Sequence, residues 1–418
     1  MNLWRVGPLV TALLLLGVPP GSTQTRVSLD SLVEEATSAN PEIRAARLRY
    51  AAAGQRAAQD SSLPDPMISA GYASVGTPLP GDGIRTEPQA NLSVMASQTL
   101  PFPGKRHLRG ALAAGMAEAD SPLVDMARLS VVSRVKQAYY RLARVYATED
   151  ILGRNVALLD TLLEVSEGRY AVGKAAQQDV IKAQTELSIL ELRQRRLAQE
   201  RAGFEAELNA LRGRPPSTPV GRPDDLELVH FDHPLDALLV TARDRAPQLR
   251  RDRLTIDAAD TGLALAATES KPDFTVSGGY SYSGVMPRMF EFRVDMNVPL
   301  RKERRIAALA EQTARSGAAR ADLESSRLML ESALQQQYQL SATALELAGL
   351  YRGTVLPQAR LALESLLVSY ESGSMDFLSV LTNFGAVLEY ELAYVDELAA
   401  FHVATSEIEA MTGAPLLH

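Results

Sequence analysis

Few side chains in this sequence are spaced to do chemistry. Val229-His230-Phe231-Asp232-His233 is the one local cluster of metal-ligand types, and a structural metal would need three or four converging donors. It lies in a Pro-rich connecting stretch and reads as an ordinary polar connection. Met286-x-x-Met289 offers two thioethers of the kind soft copper accepts, but methionine equally fills apolar surface. Gly104-Lys105 lacks the earlier glycine and the following Ser or Thr of a phosphate-cradling loop. The 418 residues contain no cysteine, which excludes disulfides, thiolate metal sites and a cysteine nucleophile. Five histidines form neither a His-Glu-x-x-His motif nor a nucleophile–base pair. The sequence therefore predicts no catalytic residues, no cofactor and no metal site. A net charge of −7 argues against nucleic acid, and the Arg193 to Arg196 run reads as a solvated helix face.

What the sequence does carry is a repeat. Tyr170, Gly173, Val180, Leu187, Leu208, Gly213 and Pro215 recur 200 residues on as Tyr370, Gly373, Val380, Val387, Ile408, Gly413 and Pro415. Upstream, Leu29, Asp30 and Pro41 return as Leu235, Asp236 and Pro247, and Pro64-Asp65 to Gly71-Tyr72 returns as Pro272-Asp273 to Gly279-Tyr280. Each unit is half the mature chain, too long for a solenoid repeat. The expected organisation is a secretory signal over 1–23, a first repeat over 24–215, a linker over 216–233 and a second repeat over 234–418. The signal rests on Arg5, the apolar stretch Pro8 to Val18 and the following Pro19-Pro20-Gly21-Ser22-Thr23. That stretch is too short to span a membrane, and no later apolar run reaches about 18 residues.

Each repeat predicts a short helix, a strand pair (65–100 and 273–299) and a long helical hairpin (104–212 and 301–412), an α+β chain. Val180, Ala183, Leu187, Leu190, Gln194, Leu197, Arg201, Phe204, Leu208 and Leu211 alternate steps of three and four, a coiled-coil seam with two polar interruptions. Gly213 and Pro215 stop it. The preceding arm, with Leu129, Val132, Val135, Tyr139, Leu142, Tyr146, Leu152, Val156 and Leu159, has Pro122 as its only breaker. In the strands the period is two. Phe274, Val276, Gly278, Tyr280 and Tyr282 share a face, as do Phe290, Phe292, Val294, Met296 and Val298; the return strand turns Glu291, Arg293, Asp295 and Asn297 the other way. A water-facing sheet gives the same period, but greasy and charged faces on a secreted chain fit a membrane barrel. Four strands cannot close a barrel in lipid, so the chain must oligomerise; strand counting leaves two or three copies open.

These motifs resemble the TolC-type outer-membrane efflux proteins from about Leu29 to Pro415. The marks are Asn40-Pro41 opening the first helix, Leu63-Pro64-Asp65-Pro66 before the first strand, Ser97-Gln98-Thr99-Leu100-Pro101-Phe102-Pro103-Gly104-Lys105-Arg106 after the second, and the turns Arg169-Tyr170-Ala171-Val172-Gly173 and Ser369-Tyr370-Glu371-Ser372-Gly373. The resemblance implies a homotrimer in which a twelve-stranded barrel in outer-membrane lipid continues into a periplasmic helical tunnel. It also implies a periplasmic adaptor and an inner-membrane pump of RND type as partners. By resemblance, the hairpin tips Arg169, Tyr170, Gly173, Lys174, Tyr370, Glu371, Gly373 and Ser374 would meet the adaptor. Glu291, Arg293, Asp295 and Asn297 would line the barrel. Relatives narrow the tunnel with carboxylates just after the turn. Asp179 fits this pattern, but its counterpart is Ser379, which leaves Asp376, one turn away, as the substitute. Leu-Pro-Asp-Pro and Ser-Gln-x-x-Pro-Phe-Pro-Gly-Lys are closest in wording to the branch serving copper or cobalt-zinc-cadmium pumps. A multidrug or type I protein-secretion duct is the alternative cargo reading, and a periplasmic coiled-coil scaffold or adaptor without a pore is the alternative of another class.

Overall fold

A computed structural model describes residues 26–76, 79 and 83–416 of the chain. The expected signal segment lies outside the described residues.

The first repeat begins with two helices where the sequence reading expects one. Helix α1 (Leu29–Ala39) is capped by Ser28, and α2 (Pro41–Ser61) follows with proline in its first turn. Pro41 has no N–H to continue α1, so the chain turns through Asn40 in an extended conformation and restarts. The Asn40 side chain accepts from the N–H groups of Glu42 (2.7 Å) and Ile43 (3.4 Å) and donates to the Leu211 carbonyl (2.8 Å). A single buried amide thus caps one helix start and one helix end. The second repeat turns the same way at Ala246-Pro247, between α5 (Leu235–Arg245) and α6 (Pro247–Thr268).

A short parallel pair, β1 (Arg26–Val27) with β4 (Arg222–Pro223), ties the start of the described chain to the linker. The larger sheet contains β2 (Met67–Ala73), β3 (Asn91–Leu100), β5 (Phe274–Tyr282) and β6 (Met289–Met296). It is antiparallel throughout in the order β2-β3-β5-β6 and is open, with β2 and β6 as edges. The second pair ends short of its expected limit, and Asn297 lies just past β6.

Helix α3 (Lys105–Ala171) runs unbroken for 67 residues, about 100 Å at 1.5 Å per residue. Pro122 does not break it, contrary to its expected role; the proline is buried inside the helix. The second repeat is different. Its arm runs as α7 (Lys302–Leu350), a π-helical turn (Tyr351–Val355) and α8 (Leu356–Ser372). Pro357 supplies the cause, since its ring excludes the ordinary partner four residues back and the backbone widens, Leu356 donating to the Tyr351 carbonyl instead.

The helices continue the order of the strands. Nearest the sheet the packing order is α2-α3-α6-α7. Farther away α4 (Gln177–Leu211) flanks α3, which packs on α9 (Phe377–Thr412), which packs in turn on α8. The largest core sits in this far bundle, where Leu152, Leu159, Ala183, Leu190, Phe384 and Leu388 are buried together. Ala183, Leu190 and Leu197 of the expected seam are buried at seven-residue spacing. The polar interruption Arg201 lies over the Tyr146 ring and pairs with Glu149 at 3.1 Å.

Candidate functional site: helical tips and sheet faces

Both hairpins reverse at a glycine with positive φ, 70° at Gly173 and 82° at Gly373, a region that costs other residues energy. The closing bonds match. Gly173 N–H meets the Tyr170 carbonyl (2.9 Å) and Lys174 N–H the Arg169 carbonyl (2.8 Å); Gly373 meets Tyr370 and Ser374 meets Ser369, both at 3.0 Å. Each pattern ties off the last carbonyls of a helix.

The side chains break this symmetry. Tyr170 is 47% exposed and Tyr370 only 2%. Tyr370 places its hydroxyl 3.1 Å from Ser166 Oγ and its ring against Phe377, so it is not the adaptor-facing group expected from its repeat position. Arg169, expected to be free at the surface, is half-buried. Its guanidinium lies 4.8 Å from the centre of the Tyr370 ring and donates to the carbonyls of Tyr370 and Glu371 (3.2 Å). Those carbonyls are the negative end of α8, where a cation is favoured. The counterpart of Arg169 is Ser369, whose side chain bonds within its own helix, to Ser365 O at 2.8 Å. The first tip therefore clasps the second without reciprocation. Lys174, Glu371 and Ser374 stay exposed.

The carboxylates after the two turns also differ. Asp179 sits in the first turn of α4, half-buried, behind an N-cap alanine that offers no side-chain bond. Asp376 is itself the N-cap of α9 and is exposed. Its carboxylate accepts from Ser379 Oγ (2.7 Å) and Ser379 N (3.2 Å). The Ser379 hydroxyl and then the backbone N–H groups hold it below the usual carboxylate range. Ser379, which occupies the position of Asp179, is thus the partner of the displaced carboxylate.

The sheet separates its faces as the period of two requires. Ile68, Ala70, Tyr72, Leu92, Val94, Val276, Tyr280, Phe290, Phe292, Val294 and Met296 share one face by register. Phe290 and Phe292 are 78% and 76% exposed. Opposite them Arg293 lies between Glu291 (3.9 Å) and Asp295 (3.4 Å) and donates to Met95 Sδ at 3.6 Å. Asn297 donates its N–H to the Asp273 carbonyl at 3.0 Å, at the base of the sheet. No helix among the described residues is long and apolar enough to cross a membrane.

Below the sheet is a buried latch that the sequence showed only as two separate motifs. Lys105, the first residue of α3 and 1% exposed, donates to Asp273 Oδ1 (3.0 Å) and the Lys271 carbonyl (2.8 Å). Asp273 also accepts from Phe102 N (2.8 Å). Burial raises the Asp273 carboxyl, but the Phe102 N–H and the Lys105 ammonium outweigh it, and the carboxyl stays below its usual range. The signal available in sequence was that Pro-Asp occurs once before each strand pair.

Residues 32–214 match the family described as outer membrane efflux protein. No curated protein is a significant match. The outer-membrane channel OprN superposes with a TM-score of 0.77 at 20% identity, covering 93% of this chain and 90% of that one. CusC, whose crystal structures concern folding and transmembrane channel formation, gives 0.79 at 16% identity over 93% and 92%. The outer membrane protein VceC from Vibrio cholerae gives 0.76 at 20% identity over 93% and 97%. Over residues 32–214 the chain thus resembles the outer membrane efflux protein family, and across its described length it shares one fold with these channels.

Proposed function

We propose that three copies of this chain form the outer-membrane exit duct of a tripartite efflux system, with a twelve-stranded barrel in lipid and a helical tunnel below it. The observation that carries this reading is the open sheet, apolar and exposed on one face and charged on the other, with two unpaired edges. Lipid tolerates no unpaired strand edge, and eight strands is about the smallest closed barrel. The helix order α2-α3-α6-α7 beneath it has open edges too, with Leu48 of α2 and Ile306 of α7 exposed. In this assembly Glu291, Arg293 and Asp295 face the lumen. The tips, with Lys174, Glu371 and Ser374 outermost, meet a periplasmic adaptor serving an inner-membrane pump, and the Arg169 clasp holds them closed. Asp179 and Asp376 ring the narrow end as a cation-attracting constriction. The motif wording favours heavy-metal cations as cargo.

The test is single-channel current from detergent-purified protein in a planar bilayer, with its native mass. A trimer passing small, cation-preferring currents is the expected result. A non-conducting monomer or dimer would return the chain to the class of periplasmic scaffolds.

A further inference from the structure

The chain contains its own template for the seam between copies. Where its two repeats meet, β3 pairs with β5, placing Gln98 opposite Val276, Ala96 opposite Gly278, Val94 opposite Tyr280 and Ser97 opposite Ser277. Strands β2 and β5 are equivalent through Pro64-Asp65 and Pro272-Asp273, so Ile68, Ala70 and Tyr72 correspond to Val276, Gly278 and Tyr280. Strands β3 and β6 are equivalent by pairing: Ala96, Val94 and Leu92 face the first set as Val294, Phe292 and Phe290 face the second.

Carrying the β3–β5 register through these equivalences to the free edges fixes one arrangement. We propose that β6 of one copy pairs antiparallel with β2 of the next so that Met296 opposes Ile68, Val294 opposes Ala70 and Phe292 opposes Tyr72 on the apolar face, while Asp295 opposes Ser69 on the polar face. This register rests on the trimeric channel reading above.

Two observations support it independently of the template. Ile68, Ala70 and Tyr72 of one edge and Phe290, Phe292, Val294 and Met296 of the other fall on the same side in this register, with Met67, Ala73 and Met289 at the strand ends on the opposite face, whereas a slip of one residue would turn one edge inside out. Ile68, Phe292, Val294 and Met296 are all more than half exposed in the protomer, so the seam would continue an existing apolar surface. Charges at the base agree as well. Lys302 opens α7 as Lys105 opens α3, and Asp65 matches Asp273. Lys302 and Asp65 are exposed with no ion pair among the described residues, whereas Lys105 and Asp273 form the buried latch. Between copies Lys302 closes on Asp65 and repeats that latch across the seam.

The absence of cysteine makes the test clean. Ser69→Cys with Asp295→Cys, oxidised with copper phenanthroline and run without reductant, is expected to give covalent dimers and trimers. Ser69→Cys with Arg293→Cys or with Asn297→Cys is offset by two residues, about 7 Å along the strand, beyond disulfide reach, and is expected to give none. Ser97→Cys with Ser277→Cys, the same contact inside one chain, should close without raising the mass and serves as the control. A trimer by native mass in which a slipped pair links, or no pair links while the control closes, overturns the register. A monomer by native mass overturns the channel reading and the register with it. Should the cysteine variants fail to assemble, Asp65→Lys and Lys302→Asp are each expected to lower the temperature at which the trimer survives detergent, and the double exchange to restore it. No loss in either single variant would also overturn the proposal.

Discussion

Gly173 and His402 illustrate how differently single positions depend on their surroundings. A Cβ at Gly173 would meet nothing within 4 Å, so Gly173→Val is penalised by backbone strain alone, about 1–2 kcal/mol. Efflux complementation is expected to fail while membrane insertion persists, and normal efflux would remove this turn from the mechanism. His402 shows the opposite dependence. It is buried, stacked on Tyr140 at 4.4 Å, with Nε2 donating to the Glu227 carbonyl (3.0 Å) and Nδ1 without a partner. Burial holds its pKa below the usual imidazole value, with the Glu227 carbonyl opposing. Above about pH 6.5 neither folded nor unfolded chain is charged there. Below it the unfolded chain takes a proton that the folded chain refuses, so stability falls with pH until the folded pKa is reached. Thermal unfolding of His402→Phe from pH 7.5 to 5 should show a shallower decline than the parent. Asp376, proposed to sit at the narrow end, is tested by current: Asp376→Ala is expected to raise conductance or relieve cation block, and unchanged currents would exclude it from the constriction.

Among the elements, the strands make the firmest demand on their environment. Phe292→Lys puts a charge on the apolar face and should destabilise the inserted barrel by about 2–4 kcal/mol if it sits near mid-bilayer, measurable as a lowered urea midpoint in lipid vesicles; Asp295→Lys on the opposite face should leave that midpoint nearly unchanged. The strands, the seam in α4 and the far turns were legible because each rests on local periodicity or on a glycine, and both survive in sequence. The corner at Asn40 was misread because its proline was taken to open the first helix instead of separating two. In sequence Pro122 reads as a breaker and Pro357 does not stand out, the reverse of what the helices show, since what a proline does inside a rod depends on how neighbouring helices hold the chain. The clasp from Arg169 was invisible for a similar reason. Its acceptors are backbone carbonyls about 200 residues away, and the repeat made Tyr170 and Tyr370 look alike when only one is buried. Arg169→Met, which keeps length but removes the donors, should weaken the coupling of the tips by about 1–2 kcal/mol, raising the open fraction about 5–30-fold. Bilayer recordings at matched protein load would show it as more frequent or larger openings.

At the scale of the molecule, one chain supplies four strands and, below them, four helices in the same lateral order, a third of a wall in the proposed trimer. Under the proposed seam, the internal repetition of elements would explain why an open ribbon suffices, since the contact between its halves is reused between copies. The exposed face and bare edges described above also bear on assembly. A lone protomer in the periplasm presents greasy strands and unpaired backbone to anything it meets, the condition under which edges recruit wrong partners. Completion of the proposed trimer requires three chains to find one another, so productive assembly would rise steeply with local concentration while off-pathway clumping rises with waiting time. Overproduction of the chain should then saturate whatever escorts it across the periplasm before it saturates the membrane, and the first sign of overload would be aggregated protomer, with the channels already inserted left intact.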